Sequence, residues 1–411
     1  MNFAAPGTPG PSPRNLSAAG VLRPWAILVA LTLGRVAVGY QLQTVATLEQ
    51  TLTSLFHLTY TEYGVLLGAY MSLGVFTALP LGILGRWLGD RLITAAGFAL
   101  MVVGPAICAW GGTTTAIAAG RMVAGVGGVG MIVLQGKIIA DWFIGPRFMI
   151  ATSIVVCGYP IGVDLVQLVL THMPPGFGWQ AGFLTGCVLP AIALLVFLAS
   201  FRRSPYAAQV PQNFSLPNAR EFMLLIIAGL IWTAYTSGYQ GYLFYVAPTL
   251  AAHGASAALI ALVVTVATWG QVPSTLFGGG LAGRFGPLLI LVVGTLGLAI
   301  GTGGTALVAA PLLWAVFVGI IGSIHPGVII AVGTMSARQE HRAVGMGVFY
   351  SLYYLGGALL PPLCGHAADL YHGPAGGLLA AAVIAAMSIP LYFLHRRVAQ
   401  IEVVPSAVGA R

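Results

Sequence analysis

Long apolar stretches separated by short polar breaks dominate the chain. They run at about 24–47, 60–85, 92–111, 114–138, 148–171 and 179–201, and again at about 221–250, 256–282, 288–308, 311–335, 343–367 and 375–395. Each holds the ~20 residues that an α-helix needs to cross ~30 Å of hydrocarbon at 1.5 Å per residue. The runs are too long for barrel strands and do not alternate, so the pattern predicts twelve helices. A hydrophilic, proline-bearing stretch from Arg202 to Arg220 divides them six and six.

The Gly82–Arg91 break recurs. Gly82, Leu84, Gly85 and Gly89 have counterparts at Gly279, Leu281, Ala282 and Gly286, 197 residues on. A glycine-rich hinge repeated at half the chain length points to two related six-helix bundles. The expected layout is a disordered tail at 1–22, a first bundle at 23–203, a linker at 204–219, a second bundle at 220–397 and a second tail at 398–411.

Composition reinforces the reading. Of 411 residues, 58% are hydrophobic and 6% charged. So few charges cannot solvate a water-soluble surface, whereas lipid demands backbone pairing within each helix. The net charge of +8 reports topology rather than nucleic acid. Fourteen of the seventeen Lys and Arg residues fall in the even-numbered loops and the tails, and none in the odd-numbered loops. This predicts a multi-pass protein of the plasma (inner) membrane with both termini cytoplasmic. Four cysteines lie within apolar runs without a CxxC pair, so neither disulfide nor metal is expected. Gly125, Gly127 and Gly130 spell the dinucleotide fingerprint. They sit inside an apolar span, where close helix packing is the better account.

Twelve spans in two sixes, with this loop, resemble the major facilitator superfamily from about Trp25 to His395. Gly82, Leu84, Gly85 and Gly89 fit that family's loop between helices 2 and 3, but Arg86 stands at its usual Asp position and acid appears at Asp90. Arg121 to Gly127 resembles the helix 4 motif, Gly158 to Gly162 the helix 5 motif, and Asp141 to Arg147 the loop between them. The resemblance implies alternating access, with gating at Gly82, Arg86, Gly89, Asp90, Arg91, Asp141, Gly279, Arg284 and Gly286. Within the superfamily, the helix 1 Arg and the helix 4–5 region look most like the cyanate, nitrate and oxalate/formate anion porter branches.

Ionisable groups inside spans are the candidates for chemistry. Arg35 lies near mid-depth, with Tyr40 and Gln41 nearby. It is either an anion hook or one side of an ion pair with Asp164. Arg121 is either linked to proton coupling and substrate or clamps helix carbonyls. Asp164 is either a proton site or a fixed salt bridge. Lys137 can snorkel, and His325 precedes Pro326 at mid-depth. Trp232, Tyr235 and Tyr239 supply an aromatic wall, Tyr350, Tyr353 and Tyr354 add mid-span hydroxyls that belong in a cavity, and Tyr242 and Tyr245 fit an interfacial belt.

The expected protein is therefore an all-α, twelve-helix secondary transporter. It carries a small organic or inorganic anion with a proton or by exchange. It is monomeric, lipid-embedded, without cofactor or nucleic-acid partner, and not an enzyme. A proton-driven exporter of apolar or cationic compounds, or a transporter-like receptor, are the alternatives.

Overall fold

The computed structural model describes residues 18–143, 146–174, 176–202, 216–307, 310–338 and 341–400. Most of the first tail, most of the linker and the end of the second tail lie outside them. Lipid supplies no hydrogen bonds, so the backbone satisfies itself in helices. In the first half these are α1 (Ala18–Thr47), α2 (Tyr60–Ser72 and Gly74–Leu88), α3 (Asp90–Trp110), α4 (Thr114–Trp142), α5 (Pro146–Thr171) and α6 (Trp179–Thr185 and Val188–Ser200), with a short helix, Glu49–Phe56, between α1 and α2. The second half has α7 (Ala219–Ala252), α8 (Ala257–Phe285), α9 (Pro287–Leu307), α10 (Pro311–Val316, Phe317–Ile321 and Pro326–Met335), α11 (Arg342–Leu370) and α12 (Ala375–Ala386 and Ser388–Gln400). Eleven of these have the length and hydropathy of a membrane crossing, and α2, interrupted at Leu73, completes twelve.

The internal repeat is visible in the backbone. Thr59 caps α2 and Ser256, 197 residues on, caps α8, each accepting from a backbone N–H three residues later. Gly89 and Gly286 both turn the chain with φ of 85° and 89°, a conformation that glycine adopts without steric cost.

Connectivity puts Arg91, Arg147, Arg284 and Arg396 on one side, the arginine-rich side, and Glu49, Glu62 and Asp369 on the far side. The described hydrogen bonds that join the halves lie toward the far side. Asp369 of α11 accepts from the backbone N–H groups of Tyr60 at 2.8 Å and Thr61 at 2.9 Å, and from the Thr61 hydroxyl. A carboxylate at the start of α2 meets the positive end of its helix dipole. Gln43 donates to Leu243 O at 3.1 Å, and Tyr63 to Phe244 O at 3.2 Å. Gly64 and Gly68 lie so close to Pro361 O and Ala358 O that a methyl group on either would overlap them.

Two sequence expectations change. Tyr242 and Tyr245 are wholly buried rather than interfacial, because α7 runs through the middle of the seam. Lys137 does more than snorkel: its ammonium pairs with Asp90 at 2.8 Å across the start of α3.

Candidate functional site

The first half contributes a stripe from α1. Arg35, Val38 and Leu42 share one helix face and line a narrow cavity. Tyr70 and Met71 of α2, Gly125 and Gly128 of α4 and Tyr159 of α5 complete that half. Tyr353 and Tyr354 of α11 close it from the other half. The space open to water centres is about 20 Å³, enough for water alone.

Arg35 has no hydrogen bond or ion pair among the described residues, and its buried Nε is unpartnered. Its nearest engagement is the Tyr159 ring, 5.7 Å from the guanidinium carbon. The expected alternative, an ion pair with Asp164, is not formed. A guanidinium with five donors and one ring contact keeps its fork available for an oxyanion.

The aromatic wall runs on from Tyr353. Trp232 lies 6.5 Å from the Tyr353 ring, 6.0 Å from Phe349 and 5.6 Å from Tyr235, and its buried indole N–H has no partner among the described residues. Tyr239 stacks on Tyr235 at 6.5 Å and donates to Ala267 O. Tyr350 sits farther out against Phe349. His325, at the break in α10, is packed between the Tyr235 ring and Gly294 of α9, and neither ring nitrogen has a partner among the described residues. It therefore leans toward α9, away from the residues that surround Arg35.

Arg121 is used differently. Its guanidinium donates to the carbonyls of Gln41 at 3.0 Å, Leu42 at 3.5 Å and Leu67 at 3.2 Å, clamping α4 to α1 and α2. Gln41 donates to Met101 O and Gly186 O, and the Tyr40 hydroxyl meets Thr185 at 2.6 Å. Both side chains tie α1 to its own bundle. Asp164 faces the other half instead. Thr268 Oγ1 of α8 lies 2.9 and 3.0 Å from its two carboxyl oxygens. No counter-ion stands within 4 Å of Asp164 among the described residues.

At the arginine-rich side, Asp90 pairs with Lys137 and Arg91 donates to Leu198 O, both within the first half. Asp141 is half-buried at the end of α4, Arg284 lies over the Phe285 ring, and Gly279 is exposed. Gly82 and Arg86 lie outside the residues described in side-chain detail.

The cavity place expected for Tyr353 and Tyr354 is where they lie, whereas sequence reasoning missed Tyr70 and Thr268. Each of the latter is an uncharged residue in an apolar run, and its neighbour comes from a distant part of the chain. Tyr159 was visible inside a motif, but nothing local aims it at Arg35.

Comparison with known proteins fits this architecture. The model of the Major Facilitator Superfamily matches residues 31–253 and 222–410. The 3-(3-hydroxy-phenyl)propionate transporter of Escherichia coli (strain K12) is 26% identical over 354 residues, which cover 82% of this chain and 86% of that protein. Among solved structures, the inward open xylose transporter XylE from E. coli superposes with a TM-score of 0.74 at 15% identity, covering 90% of this chain and 96% of that one. The nucleoside transporter NupG gives 0.72 at 14% identity, covering 92% and 100%. A bacterial homolog of the human lysosomal transporter Spinster, inward-facing and occupied, gives 0.70 at 16%, covering 93% and 98%. At such identities the structural likeness speaks for the fold alone. With twelve membrane helices in two related halves and the family pattern matched along nearly the whole chain, this protein belongs to the Major Facilitator Superfamily and is a secondary transporter, not an enzyme.

Proposed function

We propose that the protein carries an aromatic monocarboxylate, with the carboxylate on Arg35 and the ring against Tyr353 and Trp232. The observation that carries this reading is the unpartnered guanidinium. A half-buried charge inside a span without a counter-ion is costly, and a carboxylate offers two parallel charge-assisted bonds in return. The aromatic rings lead away from Arg35 into the second half, which suits a flat ring better than a bare inorganic anion. The name of the E. coli relative, a transporter of an aryl propionate, agrees with this choice.

Orientation completes the reading. With the arginine-rich side in the cytoplasm, as the positive-inside rule directs, the far-side seam closes the external face and this is an inward-facing state of a plasma-membrane carrier.

The test is binding and counterflow of labelled 3-phenylpropionate with purified protein in proteoliposomes. Arg35→Ala is expected to weaken binding by about 2 kcal/mol, roughly thirtyfold in Kd. Arg35→Lys keeps the charge but loses the fork, so it recovers only part of the affinity. Unchanged affinity in Arg35→Ala, with export of a lipophilic cation intact, sinks the carboxylate reading and leaves drug efflux in its place.

A further inference from the structure

The contact between Asp164 and Thr268 carries more than a structural role. Thr268 Oγ1 stands 2.9 Å from Val264 O as well as 2.9 and 3.0 Å from the Asp164 oxygens. A hydroxyl has one proton to give. Elsewhere in this chain, threonines in helices give it to the carbonyl four residues back: Thr32 to Leu28, Thr44 to Tyr40, Thr236 to Trp232 and Thr305 to Gly301. If Thr268 does the same, the proton between it and Asp164 belongs to the acid.

The surroundings favour that arrangement. From α8, Asp164 meets the Thr268 hydroxyl. From α7 its titratable neighbour is Tyr239. The charged group on α1 is Arg35, held at Tyr159 five residues before Asp164 and so about 7.5 Å away along the helix. The cations on α4 are engaged elsewhere, Arg121 on three carbonyls and Lys137 on Asp90. Among the described residues nothing positive touches the carboxyl, so an ionised one here has only the more distant Arg35 to offset it.

Arg35, against Tyr159, and Asp164, five residues farther along α5, are thus a separated pair of opposite charges. The form seen here, with the acid protonated and no carboxylate on Arg35, carries one excess positive charge; once that proton leaves, both groups are ionised and their charges cancel. A carboxylate on Arg35 alone leaves an excess negative charge, and a proton on Asp164 alone leaves an excess positive one. Only the empty and the doubly loaded forms are neutral, so these are the forms that cross between states at least cost. Asp164 belongs to one half and Thr268 to the other, so the acid changes surroundings whenever the far-side seam parts.

We infer that Asp164 is the proton carrier of this transporter, and that each monocarboxylate on Arg35 moves with one proton on Asp164 without net charge. The inference rests on the carboxylate reading, and the experiment separates the two. Full-length protein is reconstituted with an internal pH dye, and labelled 3-phenylpropionate is supplied with the membrane potential clamped by potassium and valinomycin. Wild type is expected to accumulate label when the outside is acidic, at one proton per carboxylate and independently of potential. Asp164→Asn is expected to lose acid-driven accumulation while still exchanging labelled for unlabelled substrate. Thr268→Val, of the same shape without the hydroxyl, is expected to move the pH of half-maximal uptake. Wild-type counterflow without acid-driven accumulation, uptake that follows potential, or proton movement persisting in Asp164→Asn overturns the coupling and leaves the carboxylate reading standing. An unmoved pH profile in Thr268→Val does the same, and it serves where Asp164→Asn does not fold. Absence of counterflow in wild type overturns both.

Discussion

At the scale of single residues, charge in an apolar setting decides most of what can be read. Arg121 shows the structural use. Its guanidinium satisfies three carbonyls on two neighbouring helices, and Arg121→Ala leaves a cavity where the clamp stood. The expected cost is roughly 3 kcal/mol, read as a clear fall in melting temperature in detergent. Glu49 shows a different case. It is 7% exposed at the far side, and burial pushes its carboxyl up to about 7 from 4.5. The native state then binds more protons than the unfolded chain between those values, so stability falls as pH rises from about 4.5 to about 7. Glu49→Gln, which cannot ionise, is expected to flatten the pH dependence of the melting temperature over that interval. A slope equal to wild type would remove Glu49 from the account. Arg35, Arg121 and Asp164 were legible because a charge inside a hydrophobic run is conspicuous. Glu49 was not, because a polar residue next to a loop reads as solvated. Which of two buried arginines is clamped and which is bare depends on carbonyls contributed by other helices, and no local pattern carries that.

At the scale of helices, glycine decides who touches whom. A methyl group at Gly125 would overlap Tyr70 O of α2, whereas nothing stands within 4 Å of one at Gly136 on the same helix. Gly125→Ala is expected to force α2 and α4 apart and destabilise by several kcal/mol, about 2–5 by analogy with overpacked and disrupted cores. Gly136→Ala is expected to be neutral or to gain up to about 1 kcal/mol from helix propensity. Thermal unfolding of the pair checks both. The reading of Gly125 and Gly127 as packing glycines was correct, since Gly127 likewise abuts Gly97 O of α3. The Asp369 carboxylate on the start of α2 was not foreseen, because the acid was assigned to a loop and its partners lie some 308 residues away. Asp369→Asn keeps the shape and removes the charge at the helix dipole. It is expected to raise the population in which the far-side ends of α2 and α11 stand apart. Spin labels at His57→Cys and His372→Cys, with Cys157 and Cys187 replaced, measure that distance distribution. An unchanged distribution would show that the apolar packing around Gly64 and Gly68 holds the seam alone.

At the scale of the molecule, the number of crossings, the two halves and the one-sided distribution of arginines were all present in the hydropathy and charge patterns. Those features are set by the bilayer, which imposes the same demands on any chain. The state of the carrier was not legible, because a single sequence must fit every position of its cycle. The two halves share caps and hinge glycines, yet they differ at the seam. In the repeat, the counterpart of Asp369 is His172, which bonds the carbonyl of Leu168 on its own helix, and α8 begins on its own Ser256. One edge of the closed face is thus fastened by a carboxylate and the opposite edge by a hydroxyl against an acid. Unequal fasteners give way unequally, so a rocking movement would not lift both edges at once. The α5–α8 edge would part ahead of the α2–α11 edge, and the first water to enter would reach Asp164 before it reached Arg35.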